Sequence, residues 1–323
     1  MKYIQLILLF VTFSIATSCN TINNKQITNS KDYNHFLNVK TNKSLETTTS
    51  EFKFWKNKLE KTPDQYPYNV KLAAANSNIF KLTGTISALK KAEQNLIIAN
   101  EKTNYNNAGY LRALAKNYIT QHRFSEALDL LLKAEVNGEK LNNTQKMLFD
   151  VYLELGDTKM AQTCLNKIEN YKDFDFLIRL SKWSDHKGEL ESAILYLKKA
   201  SELAEASNNK RLMQWSYSNL ADYYGHAGAI QKSYNHYLKA LKLNSNDAYA
   251  KKGIAWILYS YDHNPKEALR VLDSISKYHE SPDYNLLKAE IAEYNGNENA
   301  KELYLKAYMT QIKNENYGDM YNK

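Results

Sequence analysis

Small residues recur along this chain at a nearly fixed interval: Ala88, Ala127, Ala161, Ala193, Ser233, Ala268 and Ala300 stand roughly 32 to 40 residues apart. Each opens an apolar stripe with helical spacing, as in Ala127, Leu131 and Ala134 or Ala161, Leu165 and Ile168. A unit of that length cannot bury its apolar face alone, so successive copies must stack into one continuous core. The filling between the markers must be helix. Glycine and proline supply only 10 and 4 of 323 residues, about a third of ordinary usage, which is too few for sandwiches, barrels or Gly-rich nucleotide loops. The spacing therefore predicts an all-α chain of stacked helical hairpins.

The residues between the markers follow a common code. Leu114-Ala115 with Tyr118 precedes Ala127, Leu131 and Ala134; Leu148-Phe149 with Tyr152 and Gly156-Asp157 precedes Ala161, Leu165 and Ile168. The fullest copy is Asn219-Leu220-Ala221-Asp222-Tyr223-Tyr224, Gly228, Ser233, Tyr237 and Ala240. Small residues let paired helices approach, and the large residue one turn later fills the space between neighbouring pairs. This pattern resembles the tetratricopeptide repeat, a helix-turn-helix family, over residues 70 to 313. The resemblance implies a right-handed α-solenoid of about seven such hairpins within residues 70–323. Gly84, Gly156, Gly188, Gly228 and Gly296 fall at the ends of the first helices, where a left-handed cap suits glycine. Departures are Ser233 in place of alanine, Lys288 where a leucine is expected, and two long intervals that imply extended second helices after Ala88 and Ala193. Tyr317 to Asn322 would begin another first helix or form a shortened cap.

At the amino terminus, Lys2 precedes an apolar run from Ile4 to Ile15. At about twelve residues this run is too short to span a bilayer but fits the h-region of a secretory signal, here residues 1–18. Ala16-Thr17-Ser18-Cys19 resembles the lipobox of bacterial lipoproteins, apart from Ala16 where leucine is usual. The resemblance implies acylation of Cys19 and a lipid anchor in the cell envelope, on the outer membrane facing the periplasm; ordinary cleavage nearby would instead leave Cys19 a free thiol. Residues 19–50 are rich in Asn, Thr, Lys and Ser, which predicts a disordered tether. A capping helix with Phe52, Trp55 and Leu59 on one face, ending at Thr62-Pro63, occupies 51–69.

No nucleotide-binding, zincin, hydrolase or calcium-loop motif occurs, and the histidines have no carboxylate or cysteine partner at ligand spacing. Cys164 sits on an apolar stripe and reads as a buried, inert thiol. The expectation is a protein without catalytic activity, metal or cofactor.

What remains is the concave surface, which the resemblance lines with the exposed faces of the first helices. Arg112, Lys116, Lys146, Arg179 and Lys182 form a basic stretch suited to a partner's carboxylates, while Trp215, Asp222, Tyr249, Lys252, Trp256 and Tyr259 form a later zone rich in aromatic anchors. The alternative for each is packing between helices or a solvated surface. The expected function is a membrane-anchored protein-binding scaffold whose partner is a protein or peptide, with acidic segments where it meets the basic stretch. A glycan-binding or nutrient-binding lipoprotein that stacks sugars on the groove aromatics is the alternative. The net charge of +8 is spread without long like-charged runs, which disfavours nucleic acid.

Overall fold

The computed structural model describes residues 26–38, 41–314 and 317–321. The signal segment and Cys19 lie outside the described residues. Seven helical hairpins follow one another: α3 (Pro67–Thr83) with α4 (Ile86–Lys102), α5 (Ala108–Thr120) with α6 (Phe124–Asn137), α7 (Leu141–Glu154) with α8 (Thr158–Lys167), and α9 (Phe174–His186) with α10 (Leu190–Ala206). The last three are α11 (Lys210–His226) with α12 (Ile230–Leu243), α13 (Ala248–Ser260) with α14 (Pro265–Ile275), and α15 (Pro282–Tyr294) with α16 (Glu298–Asn314). Two helices precede them, α1 (Ser30–Leu37) and α2 (Lys43–Lys61). The described residues contain no strand, and the chain is the all-α solenoid that the repeat spacing predicts. No helix among them is long and apolar enough to cross a membrane.

Local chemistry fixes where each helix starts and stops. Asn107, Asp157, Asp173, Asn209, Asp247 and Asn264 each accept a backbone N–H of the following first turn, and such a cap contributes about 1 kcal/mol. Pro67, Pro265 and Pro282 occupy first helical positions, where the missing N–H has no partner to lose. The five glycines at first-helix ends all have positive φ. In the second and sixth hairpins the same left-handed position is taken by His122 and His263, at a steric cost glycine avoids. The two long intervals appear as α4 and α10, each 17 residues, against 10 to 14 for α6, α8, α12 and α14.

Packing follows the small-residue code. Ala88, Ala127, Ala161, Ala193, Ser233 and Ala268 are buried at helix crossings, with Leu111, Leu131, Phe149 and Tyr234 filling the spaces between. Ala300, on the last helix, is only half-buried. Cys164 is buried, and burial pushes its thiol up to about 11. The Lys288 side chain is mostly buried, and its ammonium pairs with the exposed Asp273 at 2.7 Å.

Two parts of the chain depart from the sequence reading. The stretch expected as a tether is structured from residue 26: Tyr33, Phe36 and Leu37 of α1 bury against α12 and α14. The backbone N–H groups of Ile27 and Thr28 donate to the Asp262 carboxylate at 2.8 and 2.9 Å, the Thr28 hydroxyl adds a bond of 2.6 Å, and the Tyr33 hydroxyl donates to Glu267 at 2.7 Å. Composition averaged over the stretch hid three apolar residues at i, i+3 and i+4, enough for one helical face. The helix expected from residue 51 starts at Lys43; its Trp55 meets Tyr68 of α3 with ring centroids 5.5 Å apart, and it ends before Pro63.

After α16, Gly318–Tyr321 makes a short 3-10 turn, and Tyr317, Met320 and Tyr321 pack with Phe80, Ile86 and Leu89 of the first hairpin. Beside this contact the Glu280 N–H donates to the Thr83 carbonyl at 2.7 Å. The stack thus curls until its first hairpin meets the loop before α15.

Candidate functional site

Among the described residues, cavities lie along the first helices on the inner face of the stack, and three of them bear on the site. The first, about 450 Å³, lies on α3 and α5 and is lined by Ala73, Ser77, Lys81, Leu89, Ala113 and Lys116. Burial and the nearby cations Arg211 and Lys116 hold the Lys81 amine below its ordinary range. The second, about 600 Å³, lies between α7, α9 and α11 and includes Asp150, Glu154, Arg179, Lys182, Asp185 and Trp215. The third, about 370 Å³, lies between α11, α13 and α15 and includes Asp222, Tyr249, Lys252, Trp256, Asp283 and Glu290.

The basic stretch is largely spent on the protein itself. Arg112 is buried and donates to the Glu139 carbonyl at 2.7 Å and to the Thr144 hydroxyl at 3.2 Å, which ties α5 to the next hairpin. Lys146 sits between Asp173 and Asp175 at 3.1 and 3.0 Å. Arg179 gives its donors to Asp150 at 2.6 Å and to the carbonyls of Lys146 and Asp175 at 2.8 and 2.9 Å. Lys182 pairs with Glu154 at 2.8 Å. Only Lys116 of the five keeps an exposed ammonium without a partner among the described residues. A continuous basic strip for a partner's carboxylates is therefore corrected: Arg112, Lys146, Arg179 and Lys182 each meet a carboxylate, carbonyl or hydroxyl about one repeat away, so most of this charge is engaged within the fold.

The aromatic zone is more open. Trp215 and Trp256 are each 42% exposed and Tyr249 is 50% exposed. Trp215 meets Phe174 edge-on at 6.0 Å, and Tyr259 lies edge-on to Tyr294 at 5.5 Å. The fixed point of the zone is Asp222. Its two oxygens accept the hydroxyls of Tyr237 at 2.5 Å and Tyr249 at 2.6 Å, so three hairpin helices converge on one carboxylate. Burial raises the Asp222 carboxyl while the two hydroxyls oppose that shift, and both tyrosines are pushed well above their ordinary range by burial and then by Asp222.

Sequence reasoning missed four contributors. Tyr237 read as core, yet its hydroxyl orients Asp222. Gly253 lies inside α13, and a Cβ there would stand 2.2 Å from the Tyr237 ring; a mid-helix glycine in a glycine-poor chain was the available signal. Asp283 and Glu290 on α15 complete the third cavity, and nothing local to them announces it.

No protein-family model matches the chain, and no curated protein matches it. Solved structures do. A chain of the APC/C hetero-tetramer Cut9–Hcn1 aligns with a TM-score of 0.54 and 15% identity over 71% of this chain, which spans only 43% of that one. The Rap protein complexed with competence and sporulation factor aligns with a TM-score of 0.58 and 15% identity, covering 80% of this chain and 79% of its own. The human IFIT1 dimer with m7Gppp-AAAA gives a TM-score of 0.58 and 14% identity over 81% and 67%. At such identities the likeness concerns the fold, which is that of tetratricopeptide-repeat proteins.

Proposed function

We propose that the chain is an interaction scaffold that holds a segment of a protein partner along its inner face, anchored to a bacterial envelope membrane through acylated Cys19. The observation that carries this reading is the row of cavities on one continuous face, with Trp215, Tyr249 and Trp256 left open where a packed protein would bury them. Large amphipathic rings in concave surroundings are the side chains that dominate binding energy in protein interfaces. The similar folds are seen with partners as unlike as competence and sporulation factor and m7Gppp-AAAA, so fold leaves the ligand open and this chain's own residues must decide it. Catalysis is not part of the proposal.

The test is site-specific photocrosslinking in cells. A benzoylphenylalanine at position 256 should capture a discrete protein partner, and the same group at Val136, 90% exposed on a second helix, should not. Equal capture at both positions would reject the inner face as the binding surface. Loss of the adduct on removal of envelope polysaccharide would favour a glycan ligand stacked on the tryptophans.

A further inference from the structure

We propose that the third cavity receives a cationic side chain of the partner, an arginine or lysine, and excludes carboxylates. This rests on the inner-face reading above and narrows it. The cavity between α11, α13 and α15 is lined by three carboxylates, Asp222, Asp283 and Glu290, and by one ammonium, Lys252. Its local sign is therefore opposite to the net charge of +8 carried by the whole chain. Lys252 is matched with Asp283 at 3.5 Å, which leaves two acids facing the cavity.

Those two acids differ in a useful way. Asp222 is held rigid by the Tyr237 and Tyr249 hydroxyls; each bond occupies part of one oxygen's acceptor capacity, so a carboxylate remains able to accept more. Glu290 is exposed and has no hydrogen-bond or ion-pair partner among the described residues. Burial and the neighbouring Glu293 raise its carboxyl, so an arriving cation would relieve an unfavourable ionised state.

The aromatic wall points to the same ligand. Trp256 has an exposed ring with no ring packed on it and no cation over its face among the described residues, and indole is the best side-chain acceptor for a cation over its face. The site already shows this chemistry in miniature, since the Lys252 ammonium lies 5.7 Å from the Tyr249 ring centroid. A guanidinium has both requirements at once, a flat face for the indole and a fork of donors for Glu290 or Asp222. A carboxylate entering the same space would meet like charges, with only the Trp256 indole N–H and the shared Lys252 to donate to it.

The experiment is a titration of the full-length protein carrying ¹⁵N-labelled tryptophan. Its 4 tryptophans give separable indole signals, and Trp256→Phe assigns the one of interest. The probes are acetyl-tetraarginine amide, its citrulline counterpart, which keeps the shape and loses the charge, and acetyl-tetraglutamate amide. The arginine peptide should shift the Trp256 signal saturably, the citrulline peptide should bind about tenfold or more weakly, and Glu290→Gln, which breaks no contact within the fold, should weaken arginine binding by about the same factor. Equal binding of the arginine and citrulline peptides, or a shift of Trp256 by tetraglutamate, would overturn the cation pocket while leaving the inner-face reading intact. Unchanged arginine affinity in Glu290→Gln would likewise overturn it. A Trp256 and Trp215 signal pair that no peptide moves would overturn both.

Discussion

Lys251 offers the sharpest test of the packing logic. It lies on α13 next to Lys252 but is buried, 1% exposed, with its ammonium 4.9 Å from the Tyr278 ring centroid and no hydrogen-bond partner. Burial pushes its amine down to about 8 despite the opposing pull of Asp247. Relative to an ordinary lysine near 10.4, and at about 1.4 kcal/mol per pH unit, keeping this group charged at pH 7 costs roughly 3 kcal/mol of folding stability. The sign follows from proton counting: an amine whose folded value lies below its unfolded value binds fewer protons in the folded state, so stability rises with pH between about 8 and 10.4. Lys251→Met keeps the length of the side chain and places a polarizable sulfur near the Tyr278 ring. It should therefore stabilise the protein by roughly 2–3 kcal/mol at pH 7, with an advantage that shrinks to about 1 kcal/mol at pH 9.5. Urea unfolding of both proteins in parallel, followed by far-UV circular dichroism at the two pH values, reads this difference directly. A variant less stable than the wild type at pH 7, or an advantage that does not change with pH, would show that the buried amine is a net contributor and refute the reasoning.

Three further outcomes are expected. Gly84 and Gly156 share a left-handed backbone, but a Cβ at Gly84 would stand 1.7 Å from the Glu280 carbonyl oxygen whereas Gly156 faces open space; Gly156→Ala should cost about 1 kcal/mol and Gly84→Ala about 3 or more, and equal losses in thermal unfolding would deny that the ends of the stack meet. Asp262→Ala removes the acceptor of three bonds from Ile27 and Thr28; it should free residues 26–38, raising their amide exchange by an order of magnitude or more while the hairpins keep theirs. Cys19→Ser should abolish palmitate labelling and release the protein from the membrane fraction, and persistent labelling would place the modification elsewhere.

The fold was legible because its rules are local. Alanines such as Ala127 and Ala161 mark helix crossings, asparagine and aspartate mark starts, and glycines such as Gly156 and Gly228 mark stops, each for a reason contained within a few residues. Where a histidine took the left-handed position, at His122 and His263, the rule still placed the turn without naming its occupant. The candidate site was only half legible. The repeat resemblance puts Trp215, Tyr249 and Trp256 on the concave face, but it does not say which cation meets which acid. Lys146 with Asp173, Arg179 with Asp150 and Arg112 with the Glu139 carbonyl are pairings between neighbouring hairpins, set by how one hairpin is rotated on the next. Such contacts turned an apparent basic strip into internal bracing. Docking of Tyr33, Phe36 and Leu37 escaped notice because its partners, Asp262, Glu267 and Tyr234, stand far along the chain.

A coil of repeats with loose ends behaves like a spring, since each unit touches only its neighbours and small rotations add up along the axis. Joining Thr83 to Glu280, with Tyr317 wedged against Ile86 and Leu89, turns the spring into a washer. Widening or lengthening the bore then requires breaking that seam rather than sharing a slight twist among all the units. Whatever pries the seam apart would therefore change the spacing of the hairpins along the whole inner face at once.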